Sequence, residues 1–138
     1  MIEKYSGSCL CGEVKYTCFG EPVFSGNCHC RDCQKSSGSA FVPALLFPEH
    51  AVKILGKPTY FERTGDSGKK FSRGFCSHCG STIFGLFEAM PKVIGIRAGS
   101  LENPNVYEPK MDFFTDSANH WDYMNQTLPK FKPSVSEA

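Results

Sequence analysis

The chain has 138 residues, with 15 Lys+Arg against 14 Asp+Glu and a formal net charge of +1. That length suits a single domain over 1–138, and no Pro/Ser-rich linker divides it. The even charge offers no pull towards nucleic acid or an anionic membrane, and no stretch approaches the ~20 apolar residues of a membrane span.

Eight cysteines are many for this length and raise the possibility of a secreted disulfide scaffold. Two features oppose it. The start, Met1 to Gly7, has no apolar run of the signal-peptide kind. Seven of the eight cysteines stand in Cys-x-Cys or Cys-x-x-Cys spacings, which suit metal knuckles better than long-range crosslinks. Such pairs read as metal or redox sites in a reducing cytoplasm, which is the expected compartment. Bound to two dications, seven thiolates add about −3 of local charge.

Glu13 to Phe19 alternates, with Val14, Tyr16 and Cys18 on one face and Lys15 and Thr17 on the other, and predicts a half-buried strand. Cys18 is therefore expected in the core as a small hydrophobe. Val23 to Asn27 predicts a short strand leading into Cys28. Asp32 to Ser37 predicts one or two helical turns ending at Gly38, with the helix N-terminus towards the thiols. Ser39 to Phe47 reads as a buried strand, in which Pro43 implies an edge position or a bulge. After a turn at Pro48-Glu49-His50, Val52 to Leu55 is expected to continue the sheet. Thr59–Thr64 and Lys70–Phe75 form a predicted hairpin joined by Gly65-Asp66-Ser67-Gly68. Strands over Thr82–Phe87 and Val93–Ala98 follow, with a turn at Met90-Pro91, then a turn at Asn103-Pro104-Asn105 and an extended segment from Val106 to Phe114. About 122–138 reads as an irregular tail packed on the domain. Long amphipathic helices are absent, so the predicted class is all-β.

Cys28-His29-Cys30-Arg31-Asp32-Cys33 places three thiols within six residues, close enough to converge on one ion. Cys9 and Cys11, with Cys76 and Cys79, make a separate set of four. The count predicts one closed structural zinc site on Cys9, Cys11, Cys76 and Cys79. It also predicts a second zinc on Cys28, Cys30 and Cys33 with an open position, where chemistry can occur. A fourth protein ligand would close that site, with His29, His78, Asp32 or Cys18 as candidates. His29 reads as a support to the ligands or as solvent-facing, Asp32 as an alternative helix cap, and His50 and His120 as solvated. A three-thiolate centre carries net negative charge and suits a soft sulfur ligand better than water activation. Arg31 and Lys35 are the basic neighbours that can meet the carboxylates of a thiol substrate, or else a solvated loop.

Taken together, Gly7-x-Cys9-x-Cys11-Gly12-x-Val14-x-Tyr16, Cys28-His29-Cys30-x-x-Cys33-x-x-x-x-Gly38 and Phe75-Cys76-x-x-Cys79-Gly80-Ser81 closely resemble the glutathione-dependent formaldehyde-activating enzyme (GFA) family. The resemblance extends to Trp121 and Leu128-Pro129-x-Phe131. It implies an Mss4-like fold of short antiparallel sheets joined by zinc knuckles and the same two zinc sets. It also implies carbon–sulfur lyase chemistry that forms or cleaves S-hydroxymethylglutathione from glutathione and formaldehyde. The sequence departs from the family pattern at Asp112, where many relatives have a histidine, and this bears on the identity of the substrate.

The expected function is thus a zinc enzyme in which Cys28, Cys30 and Cys33 hold the thiolate of glutathione or a similar thiol for reaction with a small carbonyl. Alternatives are a non-catalytic zinc module for a protein partner, a nucleic-acid-binding ribbon, which the charge opposes, and a redox site on the same three cysteines.

Overall fold

Val14, Tyr16 and Cys18 are buried while Lys15 is exposed, so the period of two seen in the sequence is the one the backbone adopts. A computed structural model describes residues 4–65 and 67–133. Asp66 of the predicted hairpin connection and residues 134–138 of the predicted tail lie outside the described residues. The strands are β1 (Tyr5–Ser8), β2 (Lys15–Cys18), β3 (Phe24–Cys28), β4 (Val42–Pro48), β5 (Val52–Leu55), β6 (Thr59–Thr64), β7 (Lys70–Phe75), β8 (Thr82–Phe87), β9 (Met90–Arg97), β10 (Asp112–Phe113) and β11 (Lys130–Phe131). A short helix, α1 (Arg31–Ser37), and four single turns of 3-10 helix complete the described elements.

The strands make a three-stranded sheet, β1-β2-β5, and an eight-stranded sheet, β11-β10-β3-β4-β9-β8-β7-β6. The all-β class is as expected. The core lies between the sheets: Tyr5 meets Phe47 edge-on at 5.4 Å and Tyr16 meets Phe84 at 5.6 Å. Leu45, Ile94 and Ile96 fill in around them, each at most 3% exposed. Gly7 in β1 permits the close approach of the Ala98–Ser100 turn. A Cβ there would collide with the Ser100 carbonyl and the Tyr16 hydroxyl.

Several sequence expectations are corrected. Pro43 sits in an interior strand, neither at an edge nor at a bulge. Its position is tolerated because the Asn27 amide opposite donates outward to the Met111 carbonyl at 3.0 Å, so Asn27 and Pro43 share no ladder bond. The Pro43 nitrogen then faces the β9 side, one residue beyond the last pair, Ala44–Arg97. Val52–Leu55 crosses to the smaller sheet and pairs with β2. Met90-Pro91 begins β9, and the preceding turn is at Glu88-Ala89. Of 106–114 only Asp112–Phe113 is strand, and its pairings with β3 and β11 are parallel. Lys130–Phe131, within the stretch read as irregular, forms the outer strand of the large sheet.

Candidate metal centres

Cys9 and Cys11 occupy the turn between β1 and β2, and Cys76 and Cys79 the turn between β7 and β8. Each turn closes through its own backbone. The Gly12 amide donates to the Cys9 carbonyl at 3.2 Å, and the Gly80 amide to the Cys76 carbonyl at 2.7 Å. Both glycines have positive φ, 84° and 80°, which is how so tight a turn reverses around sulfur. The four sulfurs lie within 4.8 Å of one another, with Cys9 to Cys11 at 3.6 Å and Cys11 to Cys76 at 3.8 Å. A tetrahedron with metal–sulfur bonds of about 2.3 Å has sulfur–sulfur edges of roughly 3.8 Å, so the donor set fits a zinc-sized dication. Backbone amides and a hydroxyl serve the sulfurs: the Val14 amide donates to Cys9 Sγ at 3.3 Å. The Ser81 hydroxyl lies 3.2 Å from Cys79 Sγ, and this contact and the Ser81 amide lower the Cys79 pKa to about 5.

The second group is Cys28 at the end of β3, Cys30, and Cys33 in α1. Their sulfurs also lie within 4.8 Å of one another, and among the described residues no further Cys, His, Asp or Glu joins them. Cys30, not Asp32, is the helix N-cap: its sulfur accepts the Cys33 amide at 3.3 Å. Gly38 ends the helix in the left-handed region, φ 69°. Hydrogen bonds from the neighbouring thiols of Cys28 and Cys33 hold Cys30 down at about 3, while the same contacts raise Cys28. The trio therefore stabilises thiolate at its centre, which is the donor character a soft metal takes.

Cys28 and His29 part company through strand alternation. Cys28 lies on the sheet face away from the core. His29, with Asn27 and Asp112, lies on the other side and is fully buried, neither a ligand nor solvent-facing. His29 Nε2 donates to Asp112 Oδ1 at 3.0 Å. His29 Nδ1 is 2.8 Å from Asp122 Oδ2 with no hydrogen bond between them, and neither atom has a hydrogen-bond partner. Asp112 also accepts from Asn27 Nδ2 at 3.2 Å and Lys130 Nζ at 2.6 Å. Burial alone would raise the Asp112 pKa. The hydrogen bonds from Lys130, His29 and Asn27 overcome it and hold the carboxyl below its usual value. Gln34 of α1 donates to the carbonyls of His29 (2.7 Å) and Ser117 (2.9 Å), stitching helix, metal loop and late chain together.

The sequence-predicted basic contacts, Arg31 and Lys35, both lie on α1. Arg31 is exposed and donates to Gln34, and Lys35 is exposed. Asp32 faces Arg63 of β6, 3.5 Å away, instead of a metal. Cys18 and His78 belong to neither group. Cys18 is a buried core thiol whose pKa burial raises to about 12. His50 and His120 are exposed.

Two residues that the sequence reading missed stand near the trio, Arg73 and Arg97. Cross-strand partners share a face, so the chain of pairs Arg73–Gly85–Gly95 runs to Arg97, and Arg97–Ala44–Gly26 runs to Cys28. The Arg73 charge lowers the Cys30 pKa and the Arg97 charge that of Cys33, through space. Only register across five strands reveals this, and single-strand patterns do not carry it. A cleft of about 570 Å³ is lined by Arg97, Val42, Ser37 and Phe41 together with Leu10 and Ser81 of the four-cysteine knuckles. No cysteine lines it. It meets the trio through Arg97 and through Val42, the partner of Cys28 in the β3–β4 ladder.

A family model described as glutathione-dependent formaldehyde-activating enzyme matches residues 4–117. No curated protein matches the chain. A similar solved structure is the crystal structure of a Rhodobacter sphaeroides protein, 20% identical, covering 75% of this chain and 96% of that one with a TM-score of 0.57. At that identity the likeness is one of fold. Among the described residues no helix is long and apolar enough to cross a membrane.

Proposed function

Because this chain belongs to the glutathione-dependent formaldehyde-activating enzyme family, we propose that Cys28, Cys30 and Cys33 form its reaction centre and Cys9, Cys11, Cys76 and Cys79 a structural zinc site. The observation that carries this is the contrast between the two groups. Four thiols close a tetrahedron, whereas three gather on the outer face of the sheet with no fourth donor beside them among the described residues. Zinc held by the trio supplies a Lewis-acid position that favours the thiolate form of a substrate thiol near neutral pH.

The protein's own part is placement. The α1 amide at Cys33 and the thiols of Cys28 and Cys33 converge on Cys30. The His29–Asp112 pair and Gln34 fix the loop that carries them. The reaction we propose joins the sulfur of glutathione, or of a similar thiol, to the carbon of formaldehyde or another small carbonyl. A carbon–sulfur bond forms, the carbonyl π electrons pass to oxygen, and that oxygen takes up the proton the thiol gives up. The reverse is the lyase direction. Thiol addition to formaldehyde is facile, so orientation and thiolate formation are enough. A cytoplasmic location is part of the same reading, since the centre needs reduced cysteines.

The test compares adduct formation from glutathione and formaldehyde with zinc-loaded protein and with Cys33→Ser. We expect a rate above the buffer reaction that the substitution abolishes, and glutathione binding by calorimetry that it also abolishes. Equal rates together with no glutathione binding would sink the proposal.

A second reading, a zinc module for a protein partner, draws on β6. This edge strand is exposed along its whole length and presents Phe61 at 60% exposure. X-ray absorption at the zinc edge decides between them: glutathione changes the second zinc's ligand shell under the first reading and leaves it unchanged under this one.

A further inference from the structure

We propose that Arg97, backed by Arg73, forms an anion subsite beside the three-cysteine centre and takes the carboxylate of a small substrate. The proposal rests on the reading of that centre as a substrate site and adds a substrate class to it.

Three observations carry it. The first is want of a partner. Among the described residues neither Arg73 nor Arg97 has a carboxylate within 4.0 Å, while Arg63 on the same sheet face pairs with Asp32. Arg73 Nε is buried with no hydrogen-bond partner, and the guanidinium carbon lies 4.6 Å from the Phe71 ring centre. A buried guanidinium donor left unmatched is costly unless something fills it.

The second is charge. Arg73 and Arg97 lie on the sheet face that carries Cys28, so two guanidiniums and the thiol cluster share one neighbourhood. Three thiolates on one dication carry about −1, against two guanidiniums at about +2, so roughly one positive charge remains for a ligand. The third is location. Among the described residues Arg97 is the only charged one lining the cleft of about 570 Å³, whose other polar walls are hydroxyl-bearing side chains, among them Ser37, Ser39 and Ser100. An arginine fork ringed by hydroxyls in a half-open cleft is the chemistry that binds a carboxylate in preference to a cation or a neutral group.

The carboxylate can belong to the thiol or to the carbonyl partner, and the experiment separates them. Dissociation constants are measured by calorimetry on zinc-loaded protein for two pairs of probes: 3-mercaptopropionate against 2-mercaptoethanol, and glyoxylate against acetaldehyde. We expect the acidic member of one pair to bind at least tenfold tighter than its neutral counterpart. The pair that shows this names the source of the carboxylate. In Arg97→Gln that ratio falls to within twofold while the neutral probe keeps its affinity. Were the arginines present only to offset thiolate charge, the substitution would lower metal content or melting temperature and leave the ratio intact, and that outcome overturns the proposal. So do wild-type ratios below twofold in both pairs. If no thiol binds but glyoxylate still binds through Arg97, the thiol reading fails and the anion subsite stands. Arg97→Lys, which keeps the charge and loses the fork, carries the test should Arg97→Gln not fold, with at least a threefold drop in the ratio expected and an unchanged ratio overturning it.

Discussion

Asp112 is the residue whose environment makes the sharpest demand. It is 1% exposed and is the meeting point of Asn27, His29 and Lys130. Asp112→Asn keeps the shape and removes the charge that half-buried Lys130 faces, and is expected to cost about 3 kcal/mol at pH 7. Its depressed pKa fixes the sign of the pH dependence. The stabilisation is present above the unfolded carboxyl value of about 3.9 and is lost as pH falls through the lower folded value. The gap between wild type and variant in urea melts should therefore hold steady from pH 7 to about 4 and narrow below. Both proteins share the metal ligands, so acid release of metal drops out of the difference. Cys18 makes the opposite case, a thiol with no chemistry to do. With its pKa raised to about 12, roughly one part in ten thousand is thiolate at pH 8. Mass spectrometry after brief iodoacetamide treatment of the folded protein should find Cys18 unmodified, and modified once the protein is unfolded.

Strand β4 shows how far a local pattern reaches. Ladder alternation leaves the Pro43 nitrogen off the β3 side and beyond the β9 pairing, while the next residue, Ala44, is paired with both neighbours, Gly26 and Arg97. Pro43→Ala should change stability by less than about 0.5 kcal/mol, and Ala44→Pro should cost about 3 kcal/mol or more, both measured by chemical unfolding. The sequence carried the strand itself, since Leu45 and Phe47 are a period-two pair on the core side. It did not carry the strand's rank in the sheet, because rank depends on pairing with β9, some fifty residues later. The same holds for the site. Seven cysteines in two groups, the turn of helix after Cys33 and the core role of Cys18 were legible, since metal spacing and alternation are local. The nearness of Arg73 and Arg97 to Cys28 was not legible, because it comes from register across five strands. His29 could have been placed by alternation: residues next to Cys28 in a strand must face the other way, and a buried histidine there calls for a carboxylate.

At the scale of the molecule, the proposed function divides the labour between the two cysteine groups. The four-cysteine group ties the β1–β2 turn of the small sheet to the β7–β8 turn of the large one. A structural zinc of this kind contributes about 10 kcal/mol or more of apparent binding energy, as large as the whole stability of many domains. Metal analysis is expected to give two zinc ions per chain. Cys79→Ser should lose one and lower the melting temperature by more than about 10 °C. Cys33→Ser should lose the other and keep its far-ultraviolet circular dichroism. The order of strands sets a schedule as well. During synthesis the four-cysteine clasp has all its parts once residue 79 has emerged. The flank of the other loop is β10 and β11, from residues 112–131, and His29 meets its carboxylates only at 112 and 122. In a growing chain all four cysteines of the first group are therefore present before the strands that flank the loop of Cys28, Cys30 and Cys33 have emerged.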